Sequence, residues 1–453
     1  MKSICENKLN INDINRWKLS TYFMMFIGLV VRLVYVLNTS VFVRNHDVGV
    51  YTSLYDGQIN PGHLGYIEYI VKFGRLPQIN PFDLFSYYHP PLHHLLGALV
   101  VKVSLLLGLS YETAFENIQL FTVLIGVLCL ILAYKIILFF SSDNIHTFLG
   151  MLLMIFHPSM IYMSGYVNND MLTLLFELMC IYCTLRWINK SDEDRTLKDL
   201  IYMALSIGLG MCVKISVVLF AFPMGVVMLM YLFRVFKDEK ANNTSAESTL
   251  KQYKNTIKII KDYIIFGIIS MGLGLSWTIR NLVKFHQKPG IASATPEDIK
   301  YMGEWSILRR LTIPYNFEFK YPFFNEYGSV SSNIWDIMFK TSLFGEMRPD
   351  ISDFMLVICR AGLIISIFGF IVLTLLSVIK YAGIILNRGI KKRISSEVVN
   401  NKKEVGVFLL TGFLAVILSY VAFTIKYPYT CSCDFRYIIV ILMYFAITLV
   451  KRS

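Results

Sequence analysis

The segment Met355–Lys380 reads MLVICRAGLIISIFGFIVLTLLSVIK and holds one charged residue, Arg360, before its terminal lysine. A helix needs about 20 mainly apolar residues to cross the hydrocarbon core of a bilayer. This segment exceeds that length and is apolar almost throughout. It therefore predicts a transmembrane helix.

Nine further apolar runs occur along the chain. They cover about residues 19–37, 118–140, 146–164, 171–188, 199–213, 215–233, 258–280, 405–424 and 435–450. Hydrophobic residues make up 55% of the sequence and charged residues 16%, whereas soluble domains average roughly 45–50% and about 25%. This composition excludes an ordinary soluble enzyme, and it excludes a disordered chain, which is poor in apolar side chains. The sequence predicts an all-α polytopic membrane protein, a bundle of about ten transmembrane helices.

The distribution of basic residues predicts the orientation of the bundle. Lys and Arg are concentrated in the segments 1–18, 234–261 and 380–403. Because cytoplasmic loops collect Lys and Arg, all three segments are expected inside the cell. They share one side only if the apolar run 92–109 does not cross the membrane. Ten crossings then place both termini in the cytoplasm and leave 38–117 and 281–354 as long outer segments.

The run 92–109 itself has a mixed character. It follows Pro90-Pro91 and contains His93, His94 and Lys102. This polar content favours a juxtamembrane helix lying along the outer face. The net charge of +12 follows from loop topology, so membrane lipids and not nucleic acid are the expected surroundings.

An acidic residue stands directly after the first span, in the stretch RNHDVGVY that covers residues 44–51. Asp47 in this place can act as a general base if it lies within hydrogen-bond reach of a substrate hydroxyl. The structural alternative is a solvated loop carboxylate paired with Arg44.

The next polar motif, YYHPPLHH at residues 87–94, starts the juxtamembrane helix. Two prolines pre-set the backbone for a helix start. Three histidines suggest a metal, yet only His89 and His93 have the i, i+4 spacing of one helix face. A structural helix start is therefore the favoured interpretation.

Asn169 and Asp170 lie at the predicted outer end of the third span. A carboxylate at the start of the following helix is favoured by the helix dipole, so capping alone explains it. Asp170 is nevertheless expected on the same outer face as Asp47, near the same depth.

Two cations complete the outer-face set. Lys214 interrupts the apolar stretch 199–233, and Arg280 ends the span 258–280. Each can snorkel to the interface, but a lipid phosphate would be a natural shared partner. Asp434 and Arg436 open the last span on the same side, where a neighbour pair between them is the structural alternative.

The order of these features resembles the GT-C glycosyltransferases. It comprises an Asp after span one, an HPPL turn, Asn-Asp after span three, Lys in an outer turn, Arg-Asn after span seven and Asp-Phe-Arg-Tyr before the last helix. Within these enzymes the chain is most similar to the family 39 group, which includes bacterial lipid A aminoarabinose transferases and protein O-mannosyltransferases. The resemblance implies a GT-C-like bundle with outer-face juxtamembrane helices.

The resemblance also implies roles for individual residues. The donor is a polyprenyl-phosphate sugar, Asp47 carries catalysis, and Asp170 helps to position substrate or, in some relatives, a metal. Lys214 and Arg280 hold the donor phosphate. The other residues expected in the substrate site are His46, His89, Asn169, Asn281, Asp434 and Arg436.

The chain departs from these relatives at two places. Many relatives have Asp-Glu in the first loop, whereas this chain has His46-Asp47-Val48, which leaves a divalent metal open and predicts no other cofactor. Gln119 stands where relatives often have an Arg. The expected division is a catalytic module over 1–290 that includes outer loop 38–117, an outer loop over 291–354, and C-terminal transmembrane helices over 355–453.

The expected function is an inverting hexosyl or pentosyl transfer from a polyprenyl-phosphate donor to the hydroxyl of a protein, lipid or glycan. It would take place at the outer face of a multi-pass protein of the bacterial plasma membrane. A secondary transporter and a non-catalytic membrane scaffold are the alternatives. A transporter is expected to carry its polar residues near the bilayer midplane, whereas most of the candidates here lie at helix ends.

Overall fold

The structure is a computed structural model. It describes residues 11–47, 59–81, 83–141, 143–242, 253–288, 307–312, 321–324, 333–347, 349–386, 396–427 and 430–450. Every helix or strand element within these ranges is helical. The predicted all-α class is confirmed.

Sixteen α-helices are described, in the following order. They are α1 Ile11–Leu37, α2 Gly62–Phe73, α3 Leu92–Leu106, α4 Tyr111–Ile137, α5 Asn144–Phe156, α6 Pro158–Tyr162, α7 Asp170–Ile188, α8 Leu197–Val213, α9 Ala221–Asn242, α10 Lys254–Gly274, α11 Ser276–Phe285, α12 Ile307–Leu311, α13 Ile334–Phe344, α14 Asp353–Leu386, α15 Ser396–Lys426 and α16 Ile441–Leu449. Short 3-10 helices cover Arg44–His46, Met163–Gly165, Ile215–Phe220, Thr430–Cys433 and Phe435–Ile438.

All ten predicted spans correspond to helices. Within the described ranges, 7 helices are long and apolar enough to cross a membrane, and counting each of two bent pairs as one span gives 9. The remaining predicted span, 199–213, corresponds to α8, which has 17 residues. The span predicted at 118–140 starts earlier, at Tyr111, because the Ser110 hydroxyl caps α4 by accepting from the Thr113 N–H at 3.2 Å.

The two bent pairs have local causes in the chain. The axis turns by 61° between α5 and α6, where Pro158 begins α6 and has no N–H to continue the ladder. The axis turns by 49° between α10 and α11, across the single residue Leu275. The second bend redirects the chain just before Arg280.

The run whose character was ambiguous forms helix α3 of 15 residues, short of a full span. It packs with α2 and α4 in a separate apolar cluster that includes Tyr66, Val101 and Phe115. Gly97 permits the close approach of α2, because a Cβ there would lie 2.8 Å from Ile67 Cδ1. This packing suits the predicted juxtamembrane helix.

Burial separates the inner helices from the outer ones. In the most apolar 18-residue stretch of α7, 78% of the residues are buried, whereas the corresponding share in α14 is 11%. The exposed apolar face of α14 therefore suits contact with lipid, and α7 runs through the protein core. Because α7 is central, the connection before Asp170 lies where several other helix ends meet.

Candidate active site

Asp47 and Arg436 form an ion pair at one end of the bundle. Arg436 Nη1 donates to Asp47 Oδ2 at 2.7 Å. Asp47 follows the 3-10 helix after α1, and Arg436 lies in the 3-10 helix before α16. The Asp47 side chain keeps 25% of its surface exposed, so a substrate group can reach the carboxylate.

Asp170 is the second carboxylate of the site. It begins α7, where the helix dipole favours a negative charge. It forms an ion pair with Lys214, and its Oδ2 lies 3.5 Å from Nε of Arg436. Two carboxylates and two cations thus meet, and we call Asp47, Asp170, Lys214 and Arg436 the charge quartet. Its formal charges sum to zero.

Asn168 joins the two carboxylates directly. Its amide nitrogen donates to Asp47 Oδ2 at 3.0 Å and to Asp170 Oδ2 at 2.9 Å. Its amide oxygen accepts from the backbone N–H of Asp170 at 3.0 Å. Because Asn168 is 1% exposed, these bonds are protected from water and hold the spacing of the two acids.

The position of Lys214 depends on the end of α8. Asn169 donates to the carbonyl of Val213 at 2.7 Å, which fixes the start of α7 to the residue before Lys214. The Lys214 ammonium also lies 4.5 Å from the centroid of the Tyr437 ring. Asn169 therefore positions Lys214 indirectly, through its hydrogen bond to the backbone of α8.

Asp47 adopts a left-handed backbone conformation, with φ of 53°. Asp and Asn are the side chains that best tolerate this region apart from glycine. The alternative partner considered from the sequence, Arg44, has a side chain outside the described residues. The described partners of the Asp47 carboxylate are Arg436 and Asn168.

Aromatic and imidazole rings lie beside the charge quartet, and we call His63, Tyr88, His89 and His94 the ring wall. His63 stacks on His89 with ring centroids 5.0 Å apart, and its Nδ1 lies 3.1 Å from Nε2 of His94. Tyr88 packs beside His89 with centroids 4.5 Å apart. His89 and Tyr88 are half-buried, which leaves part of each ring open to a bound molecule.

Burial keeps these imidazoles neutral. It lowers the pKa of His63 to about 4. The pKa of His89 lies well below its ordinary value, first because of burial and then because His63, Lys214 and Arg436 repel a further positive charge. The cations of the site at neutral pH are therefore the lysine and the arginine.

Two predicted site residues have structural contacts. His46 is buried, and its Nε2 lies 3.0 Å from the Tyr35 hydroxyl, which ties the loop to α1. Asp434 accepts from the backbone N–H of Arg436 at 2.8 Å and caps that 3-10 helix. This is the neighbour pair considered from the sequence, made through the backbone. Both residues position members of the site.

In the described part of the chain, the contacts of Arg280 are with residues outside the charge quartet. Its guanidinium donates to the Pro77 carbonyl and, at 2.8 Å, to the Asn281 amide oxygen. It also lies 4.3 Å from the Trp277 ring. The Trp277 indole N–H donates to the Tyr88 carbonyl at 3.2 Å, which links Arg280 to Tyr88 through Trp277.

The donor set of the quartet bears on a divalent metal. Asp47 and Asp170 already accept from Arg436, Lys214 and Asn168. In the described part of the chain, no group of three or more His, Cys, Asp or Glu side chains is arranged to hold a metal ion. The described residues do not fit a resident metal.

Three residues of the site were not predicted from the sequence: Asn168, His63 and Tyr88. Asn168 had a local signal, because an Asn two residues before an Asp can accept the N–H of that Asp in an Asx turn. His63 had none, since its partners His89 and His94 lie on another segment. Its role depends on the packing of α2 against α3.

Part of the chain is similar to a known protein family. Residues 84–285 match the family described as dolichyl-phosphate-mannose-protein mannosyltransferase. Asp170, Lys214 and Arg280 lie inside the matched range, whereas Asp47 and Arg436 lie outside it. No curated protein sequence matches the chain.

Several solved structures are similar to the chain. The apo oligosaccharyltransferase of Archaeoglobus fulgidus has 12% identity and a TM-score of 0.49, with 95% of this chain and 50% of that chain covered. ArnT from Cupriavidus metallidurans, bound to undecaprenyl phosphate, has 12% identity and a TM-score of 0.35, with 94% and 76% covered. The chain thus spans half the length of the archaeal enzyme.

These observations define an integral, multi-pass membrane protein that resembles the GT-C glycosyltransferases. Over residues 84–285 it is similar, more particularly, to the family 39 protein mannosyltransferases. The resemblance inferred from the order of the motifs is confirmed. The division at residues 290 and 354 stays a prediction, and the charge quartet draws on both the first and the third of those parts.

Proposed function

We propose that the protein transfers a sugar from a polyprenyl-phosphate donor to an acceptor hydroxyl at the outer face of the membrane. The charge quartet carries this proposal, because it places a partly exposed carboxylate beside two cations. The matched family takes its name from a dolichyl-phosphate-linked mannose and a protein acceptor. A polyprenyl-phosphate hexose and a protein hydroxyl are the substrates to test first.

The proposed chemistry assigns one role to each charge. Asp47 accepts the proton of the acceptor hydroxyl while that oxygen attacks the anomeric carbon. The bond from the anomeric carbon to the phosphate oxygen breaks, and its electron pair leaves with the lipid phosphate. Lys214 and Arg436 stabilise the negative charge that develops there. Attack from the side opposite the phosphate inverts the anomeric configuration.

The ring wall has a matching role in this proposal. His89 and Tyr88 present half-buried rings beside the quartet. Such rings combine an apolar face with a polar edge, which suits a sugar ring that must be held without a further charge. Asp170 and Asn168 have a positioning role in this proposal, which is supported by the hydrogen bonds that join Asn168 to Asp47 and Asp170, and Lys214 to Asp170.

We place this reaction at the plasma membrane of a bacterium, with both termini in the cytoplasm. The basic segments 1–18 and 380–403 support this orientation. The quartet then lies at the outer ends of its helices.

The experiment that tests the function uses the purified protein in lipid nanodiscs. Polyprenyl-phosphate mannose and polyprenyl-phosphate aminoarabinose serve as donors, with serine- or threonine-containing peptides and lipid A as acceptors. Mass spectrometry of the acceptors measures transfer. Asp47→Asn should lower transfer about 10²–10⁴-fold while the folded fraction persists, because Asn also tolerates a positive φ.

Two controls complete this experiment. Asn38→Asp adds a carboxylate nearby on the outer side, at an exposed residue outside the quartet, and should transfer like the parent. Normal transfer by Asp47→Asn would reject Asp47 as the base. Failure of the parent with every donor and acceptor would reject the proposed reaction.

A further inference from the structure

Arg436 and Asn168 both donate to the carboxylate assigned above as the base. Arg436 Nη1 donates to Asp47 Oδ2 at 2.7 Å, and Asn168 donates to the same oxygen at 3.0 Å. Two donors thus converge on one oxygen of this carboxylate, and one of them is a charged guanidinium. Asp47 is therefore restrained in the arrangement that the structure shows.

The guanidinium of Arg436 retains unused donor capacity. Its Nε is buried, lies 3.5 Å from Asp170 and makes no hydrogen bond to the described residues. A guanidinium presents a planar fork of donors that fits two oxygens of one phosphate. A phosphate oxygen is thus a strong competitor for the bond that Asp47 now accepts.

We propose that the donor phosphate activates the base by taking Arg436 away from Asp47. In the structure the two carboxylates balance Lys214 and Arg436. When a phosphate enters, the cations turn to it, and Asp47 keeps only the neutral amide of Asn168. The acceptor hydroxyl then meets a carboxylate that no cation holds, and this arrangement forms only in a site that already holds donor. This inference rests on the proposed function and adds an order of binding, donor before acceptor.

The surroundings of Asp47 and Arg436 support an exchange of partners. Besides Asp47, the groups that act most strongly on Arg436 are Tyr437, Asp434 and Asp170, and His63, Tyr88, His89 and Cys431 also interact with it. Asp434 reaches Arg436 through the backbone N–H, so it does not hold the guanidinium in place. The neutral imidazole of His63 and the ring of Tyr88 line the same region, and neither offers a competing charge.

A binding measurement tests this exchange. Undecaprenyl phosphate is titrated into nanodiscs that hold the parent or Asp47→Asn, and binding is followed by native mass spectrometry. In the parent, the phosphate must displace the charged hydrogen bond between Arg436 and Asp47. Replacing Asp47 by Asn removes this competition, so the variant should bind undecaprenyl phosphate about 10- to 100-fold more tightly. The same substitution should lower transfer about 10²–10⁴-fold. A variant that loses activity would thus gain affinity for the donor phosphate.

A double-mutant cycle separates the exchange from a general loss of negative charge. In an Arg436→Gln background, Asp47→Asn should change undecaprenyl phosphate binding by less than about 2-fold, because the competed donor is gone. An equal gain in both backgrounds would overturn the exchange, as would weaker or unchanged binding by Asp47→Asn alone. Arg436→Met, which keeps much of the apolar stem, is a second background in case the glutamine variant does not fold.

The outcomes also separate this inference from the function on which it rests. If the parent does not bind undecaprenyl phosphate, the donor class is wrong and the exchange falls with it. If the parent binds and transfers but Asp47→Asn gains no affinity, the donor class stands and only the exchange is rejected. Asp47→Glu keeps the charge and should gain no affinity.

Discussion

Asp47 and Arg436 are 389 residues apart in the chain, and their side chains meet at 2.7 Å. The pair joins the loop after the first span to the start of the last helix. Because Arg436 also faces Asp170, three separate segments must pack correctly before the site exists. The first and last parts of the chain are therefore interdependent for the proposed activity.

Asn168 should matter for transfer through the positions of two carboxylates. Asn168→Ala removes both amide bonds, and each bond to a charged group contributes about 1.5–3 kcal/mol. We expect transfer to fall about 10- to 100-fold, measured with the assay described above. Asn189→Ala removes a comparable amide bond at the other end of α7, to the Leu185 carbonyl at 2.8 Å. That control should transfer like the parent, and an equal loss in both would indicate a general destabilisation of α7.

Stability should fall as the pH is lowered from about 6.5 to about 4. Burial lowers the pKa of both His63 and His93 to about 4, whereas an unfolded histidine titrates near 6.5. Between these values the unfolded chain binds more protons, so protonation favours unfolding. Thermal unfolding in detergent at pH 7.5, 6.0 and 5.0 measures the effect. His63→Gln should weaken this dependence, and an unchanged slope would contradict the assignment.

Arg280 was predicted to hold the donor phosphate, and its contacts suggest a direct comparison. Arg280→Lys keeps the charge and loses the planar fork, so undecaprenyl phosphate binding should weaken, and Arg280→Ala should weaken it further. If both variants bind like the parent but unfold at lower temperature, Arg280 serves to anchor Pro77 and Trp277.

The orientation of the bundle can be tested by cysteine labelling. Gln78 and Asn255 are exposed, and the predicted topology places them on opposite sides of the membrane. In a Cys431→Ser background, which removes an exposed native thiol, a cysteine at Gln78 should react with an impermeant reagent in intact cells. A cysteine at Asn255 should react only after permeabilisation. Labelling of both in intact cells would overturn the ten-span topology.

Local sequence was sufficient to predict the apolar helices that match the ten spans, and α3, but it did not predict α2, α12 or α13. Apolar length predicts a span such as α14 without knowledge of its neighbours, since lipid requires every backbone group to be bonded within the helix. Helix ends also depend on near neighbours, as the Ser110 cap of α4 illustrates. The candidates Asp47, Asp170, Lys214 and Arg436 were found because each is a charge at the end of an apolar run.

Only the tertiary structure decided which of these charges meet. Arg280 met the same sequence criterion as Lys214, yet among the described residues its guanidinium donates to Pro77 and Asn281 and to no member of the quartet. The pairing of Asp47 with Arg436, and the place of His63 in the wall, depend on how distant helices pack. The apolar length of a span and the capping of a helix depend on residues close to one another in the sequence. An ion pair between residues 389 apart depends on the arrangement of the whole bundle.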